Sequence, residues 1–231
     1  MSDSDRRGTE VQIESGDGAF SAYVARPAAG HGPGVLVLQE WWGLVPQIRE
    51  VCDRLARSGF VALAPDLYRG DATTDPDEAG RLMMALEIER AGRDLEAAAE
   101  TLRRQPETDG ASIGCIGFCM GGQLALQAGC LRPDVSAIVD CYGVHPNVTP
   151  DFERCRARVL GVFAEHDDFI SPEDVARLEA ALEAAGVEAK LKTYPGVQHA
   201  FLNDARPDVY DAKRAVEAWR DIEAFLRAEL C

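Results

Sequence analysis

The chain predicts an α/β fold: a mostly parallel central sheet with helices on both faces. Three observations carry that expectation. Strand-like segments alternate with segments of helical periodicity along the 231 residues. Val35–Leu38 is continuously apolar, as a central strand covered on both faces is. Ser112–Ile116, small and β-branched, runs through a glycine-rich turn into the helix-like stretch Gln123–Ala128.

The elements follow in order. Thr9–Ile13 and Ala19–Arg26 read as antiparallel strands joined by the turn Ser15-Gly16-Asp17-Gly18. After Val35–Leu38, residues Ile48, Val51, Cys52 and Leu55 recur at helical spacing, and Gly59 supplies the stop. Phe60–Ala64 is a strand closed by Pro65-Asp66, and Leu67–Thr74 is loop. Asp75-Pro76-Asp77-Glu78 opens a helix with a cap, a first-turn proline and acids against the dipole. That helix is expected to run to Arg104 with a break near Gly92, its second half turning Leu95, Ala98, Ala99 and Leu102 to one face. Ala137–Tyr142 and Arg158–Ala164 are strands. Ser171-Pro172-Glu173-Asp174 is a capping box, and Val175, Leu178 and Leu182 form the inner face of its helix. Ala189–Tyr194 alternates as a final edge strand. The last helix is expected to bury Ala212, Val216, Trp219, Ile222 and Leu226.

No linker divides the chain, so residues 9–231 are expected to form one domain behind a frayed end over 1–8. The net charge of −15 and pI near 4.7 repel phosphate backbones and argue against nucleic-acid binding. No apolar run approaches the length of a membrane span. The polar start Met1–Arg7 is not a signal peptide or an anchor, so the expected location is cytoplasmic. Seven cysteines at irregular spacing, without a C-x-x-C pair, read as reduced thiols. Cys52, Cys115, Cys130 and Cys141 read as core packing, and Cys231 as exposed.

The chemistry centres on Gly117-Phe118-Cys119-Met120-Gly121-Gly122. Strand, tight turn with a nucleophile at its tip, then helix is the layout of a nucleophile elbow, G-x-[S/C]-x-G. A Cβ at Gly117 or Gly121 would collide with the neighbouring strand or helix. The Cys119 sulfur then stands beside a helix N-terminus, which favours a thiolate and an oxyanion. A free cysteine is more often a small buried hydrophobe, so the rest of the chain must supply a base and an acid. In folds with this elbow the chain order is nucleophile, acid, histidine. Of the four histidines, only His199 comes late enough, directly after the last strand. Asp167 and Asp168 are the acid candidates, both just beyond the strand ending at Ala164. The oxyanion hole is expected from the backbone N–H groups of Met120 and Trp41. Glu40 follows a central strand and precedes Trp41 and Trp42, which would desolvate it and let it exchange a proton with a nearby thiol. His145, His166 and the Asp pair show no metal-ligand spacing, and no cofactor or metal is expected.

From about Val11 to its C-terminus the chain resembles the dienelactone hydrolase (carboxymethylenebutenolidase) family of the α/β-hydrolase fold. The resemblance rests on Gln39-Glu40-Trp41-Trp42-Gly43-Leu44, Pro65-Asp66-Leu67-Tyr68, the Gly117–Gly122 elbow, Tyr142-Gly143 and His199-Ala200-Phe201. It implies a Cys119–Asp167–His199 triad, with Asp167-x-x-Ile170 matching the family's D-x-x-[VI] in preference to Asp168. It implies that Glu40 holds the resting thiol and takes its proton when substrate displaces it. A lactone carbonyl would be attacked by Cys119, and the acyl-enzyme hydrolysed by water activated at His199. It implies substrate contacts from Trp42, Tyr142, Phe201 and residue 203. There the chain departs from the family, which reads a substrate carboxylate with two arginines. One position is Asn203 here, and the other has no clear counterpart, leaving Arg81 or Arg206 as substitutes. Gly80 and Met83 replace aromatics. The implied function is therefore hydrolysis of a small lactone or ester by a monomer or small homo-oligomer. The competing readings are a carboxylesterase or thioesterase, a silent scaffold, and a thiol redox sensor using Cys119.

Overall fold

In the computed structural model, which describes residues 8–231, eight strands form one sheet in the order β1-β2-β4-β3-β5-β6-β7-β8. The strands are β1 (Gly8–Ser15), β2 (Gly18–Ala25), β3 (Gly32–Leu38), β4 (Val61–Pro65), β5 (Thr108–Phe118), β6 (Val135–Cys141), β7 (Arg158–His166) and β8 (Ala189–Gln198). The β1–β2 and β2–β4 pairs are antiparallel, and every pair from β4 to β8 is parallel. The expected fold class is thus the observed one. Most of the stretch expected to fray lies outside the described residues, but Gly8 already pairs with Ala25 in the first hairpin.

Six helices complete the fold: α1 (Pro46–Arg57), α2 (Pro76–Ala85), α3 (Ile88–Arg103), α4 (Met120–Leu131), α5 (Pro172–Ala184) and α6 (Ala212–Leu230). Strand alternation separates two cores. Val35, Val37, Ile116, Phe118 and Val139 pack with α1 and α6 on one face. Leu36, Leu38, Ile113 and Cys115 pack with α3 and α4 on the other. Asp75 caps α2 by accepting from the Glu78 N–H at 2.9 Å, and Ser171 with Asp174 closes the capping box of α5.

Two expectations are corrected. The break between α2 and α3 lies at Leu86–Glu87, where Leu86 turns extended (ψ 118°) and buries its side chain. Gly92 stays inside α3, close against Leu131 of α4. On α6 the inner face is Ala215, Ala218, Trp219, Ile222 and Leu226, while Ala212 is exposed and Val216 is 68% exposed. The alanines let the helix approach the sheet, which rotates Val216 outward. On α5 the expected inner face is observed: Leu182 is fully buried, and Val175 and Leu178 pack partly buried against the core near the β8 edge.

Candidate active site

Glu40, Cys119, Asp167 and His199 all lie just beyond strands at the carboxyl end of the sheet, where open α/β sheets bind ligands. Cys119 occupies the turn between β5 and α4 with φ 52° and ψ −121°, a left-handed conformation rare for a side-chain-bearing residue. The turn is held by main-chain bonds: Cys119 N–H donates to the Cys141 carbonyl at 3.0 Å, and the Val144 N–H donates to the Cys119 carbonyl at 3.1 Å. A Cβ at Gly117 would fall on the Gly121 carbonyl, and one at Gly121 on the carbonyls of Leu38 and Gln39. Both elbow glycines are therefore required by close backbone approach, as expected. Met120 opens α4, so its N–H has no acceptor within the helix.

His199 follows β8 directly, because that strand continues through Pro195-Gly196 to Gln198 and realigns with His166. Its Nδ1 lies 2.8 Å from Asp167 Oδ2 and 3.1 Å from Oδ1. Asp167 Oδ1 also accepts from the N–H groups of Phe169 (2.9 Å) and Ile170 (3.1 Å), which fixes the carboxylate. Asp168 is exposed. Burial of the ring opposes its positive charge, but the hydrogen bond with Asp167 and the neighbouring Cys119 side chain prevail and raise the His199 pKa to about 10. His199 is thus bonded to Asp167 and lines one cavity with Cys119.

Glu40 is 1% exposed. Burial pushes its carboxyl up, opposed by the hydrogen bond from Asn203 and by the charges of His199 and Arg206. Asn203 Nδ2 donates to Oε2 at 2.8 Å, and Oε1 is buried without a hydrogen-bond partner. The amide at 203 therefore serves the glutamate.

A cavity of about 290 Å³ opens over the sulfur. Glu40, Trp41, Trp42, Met83, Phe169 and Arg206 form much of its wall. Three expected substrate contacts stand elsewhere. Tyr142 and Phe201 are wholly buried behind His199: the Tyr142 ring is edge-on to the imidazole at 4.9 Å and touches Phe201 at 6.0 Å. Aromatic residues beside a triad histidine can pack against its back as easily as face substrate. Arg81 points outward from α2 and pairs with Glu78, since it sits on the exposed side of an amphipathic helix. Arg206 does reach the cavity, paired with Asp208 at 2.6 Å and stacked over Trp42 at 5.9 Å. The residues that sequence reasoning missed are Phe169 and Val144. Phe169 packs on His199 at 4.9 Å and on Trp41 at 6.3 Å. Its one sequence signal was its place in the loop that carries the acid.

Comparison with known proteins agrees with this architecture. Residues 20–230 match the model of the dienelactone hydrolase family. Protein usf of Aquifex pyrophilus is 38% identical over 231 residues, covering 96% of this chain and 99% of that protein. The carboxymethylenebutenolidase homolog of Mus musculus is 31% identical over 215 residues, covering 90% and 84%. Among solved structures, one titled m3DLH superposes with a TM-score of 0.88 at 27% identity, covering 97% of this chain and 98% of that one. A hyperthermophilic esterase from Pyrobaculum calidifontis, at 20% identity and TM-score 0.73 with 96% and 83% covered, shares the fold. The chain belongs to the dienelactone hydrolase family and is a hydrolase of the α/β-hydrolase fold.

Proposed function

We propose that the protein hydrolyses a small lactone or ester through an acyl-enzyme on Cys119, with His199 as base and acid and Asp167 as its orienting partner. The observation that carries this reading is the His199 ring, held by a buried aspartate at 2.8 Å through Nδ1 and sharing one cavity wall with Cys119, with its Nε2 left unpartnered. The Cys119 sulfur attacks the carbonyl carbon with its proton already held on His199 Nε2, since the ring's raised pKa favours the imidazolium. Negative charge on the carbonyl oxygen is received by the N–H groups of Met120 and Trp41. The C–O bond breaks, and the leaving oxygen takes the proton from the imidazolium. Water, deprotonated by His199, then attacks the thioester, and the sulfur leaves. Glu40, buried and with one unpartnered oxygen, is suited to accept a hydrogen bond from the resting thiol before substrate enters.

Arg206 is the cavity's one arginine or lysine, and it is the group we expect to meet an anionic substrate. That single guanidinium also supports a second reading, a carboxylesterase on uncharged esters, because the pair of arginines typical of the family is not matched. The redox-sensor reading is disfavoured, since Cys115, the nearest cysteine in sequence, packs in the core on the opposite face. Among the described residues no helix is long and apolar enough to cross a membrane. All seven cysteines are free, which suits a reducing cytoplasm.

The test is steady-state hydrolysis of a dienelactone and of p-nitrophenyl esters by wild type and Cys119→Ala. Fast dienelactone opening that is lost in the variant supports the lactonase reading. Cys119-dependent turnover of simple esters alone supports the carboxylesterase. Equal inactivity of both proteins on every substrate rejects the hydrolytic role of Cys119.

A further inference from the structure

A second, larger cavity of about 600 Å³ adjoins the catalytic one. The two share Val144 and Phe169 as lining. Val144 is bonded through its N–H to the Cys119 carbonyl, so the partition stands next to the nucleophile. Phe169 is 58% exposed although it is a large apolar side chain, and it lies between the His199 ring and this second space. Beyond the partition the groove runs between the 143–152 loop and α5, lined by Val148, Phe152, Phe163, Ile170, Val175 and Leu178. Its two carboxylate and guanidinium groups, Asp174 and Arg177, are paired with each other. His145 is kept toward its neutral form by burial. No uncompensated charge therefore faces the groove, and its volume falls within the range of ligand sites. The opposite side of the catalytic cavity differs. There it meets a third space of about 450 Å³ across Trp42, Pro76 and Arg206, with Thr73, Thr74 and Asn203 in its wall. Both sides of the reacting sulfur are lined mainly by apolar surface, and the side at Arg206 adds a guanidinium.

We propose that the groove beyond Phe169 and Val144 is a substrate subsite. The preferred substrate would then carry an extended apolar arm on one side of its carbonyl ester. This inference rests on the Cys119 reading above. Phe169 sets how far the arm extends, because its ring divides the catalytic space from the groove.

The test measures kcat/KM by pH-stat for two series, ethyl alkanoates and alkyl acetates, from two to eight carbons in the varied arm. Wild type, Cys119→Ala, Val175→Asp and Phe169→Ala are compared by their long-to-short ratios. Each methylene buried in an apolar site is worth up to roughly fourfold in kcat/KM. The expected result is a rise of roughly tenfold or more from two to six carbons in one series. Val175→Asp should lower that ratio by placing a charge in the groove, and Phe169→Ala should move the optimum to longer arms. A flat or falling profile in both series, with turnover still dependent on Cys119, overturns the subsite and leaves the triad standing. A rising profile that neither Val175→Asp nor Phe169→Ala alters also overturns it. Activity that survives intact in Cys119→Ala overturns the catalytic reading, and the subsite with it.

Discussion

The elbow and the substrate rim lie within one cavity's width of each other and differ in how their residues are fixed. At the elbow, Gly117 and Gly121 leave no room for a Cβ, Cys119 is tied by main-chain bonds to Cys141 and Val144, and Asp167 is held by two backbone N–H groups. At the rim, α2 presents Arg81 to solvent, Phe169 stands more than half exposed, and Arg206 shares its charge with Asp208. Chemistry sits where the sheet dictates position. The rim side chains stand where fewer contacts fix them.

The largest expected effect breaks the elbow's electrostatics. Asp167→Asn should lower kcat by a factor on the order of 10² to 10⁴, because the ring loses the carboxylate that orients it and favours its charge. The neighbouring Asp168→Asn should leave kcat within about twofold, since an exposed carboxylate is cheaply replaced. Equal effects in steady-state assays would mean that the wrong acid has been assigned.

Next comes Asp140, wholly buried at the end of β6 against Gly122 and Gly143. Burial raises its pKa to about 7, opposed by the Gly143 N–H. A carboxyl whose pKa is higher folded than unfolded binds its proton better in the native state, so stability falls as pH rises from about 4 towards 7. Asp140→Asn should remove that fall, a gain of up to about 4 kcal/mol at pH 8 relative to pH 4 in urea unfolding. An unchanged pH slope would show that Asp140 does not titrate in this way.

Gly121→Ala forces a methyl onto the Leu38 and Gln39 carbonyls and should cost about 3 kcal/mol of unfolding free energy, with loss of turnover from displacement of Cys119. The smallest effects belong to the rim. Arg206→Ala should raise KM for an anionic ester about tenfold and leave a neutral ester nearly unchanged. Arg81→Ala should change neither. A large Arg81 effect would require α2 to turn its outer face inward on binding.

The same contrast governs what was legible in the sequence. The alternation of strand and helix, the elbow glycines, the caps at Asp75 and Ser171, and the order Cys119, Asp167, His199 all follow from local sterics and chain order. Residue spacing left Asp167 and Asp168 equivalent, and only the family resemblance separated them. Tyr142 and Phe201 were expected at substrate and instead pack behind His199, because sequence gives proximity to the site without direction. Val216 was expected inward on α6, but Ala215 and Ala218 set the packed face, a choice made by the shape of the sheet. Phe169 escaped notice for the related reason that an aromatic in a loop has no periodicity to report its partner.

The central claim is that Cys119 carries the acyl group. The most direct measurement is intact-protein and peptide mass spectrometry after brief mixing with a p-nitrophenyl ester and acid quench. The account predicts an added acyl mass on the peptide bearing Cys119, and none in Cys119→Ala. Turnover of the same ester with the adduct on another residue, or with an adduct that persists in Cys119→Ala, would contradict it.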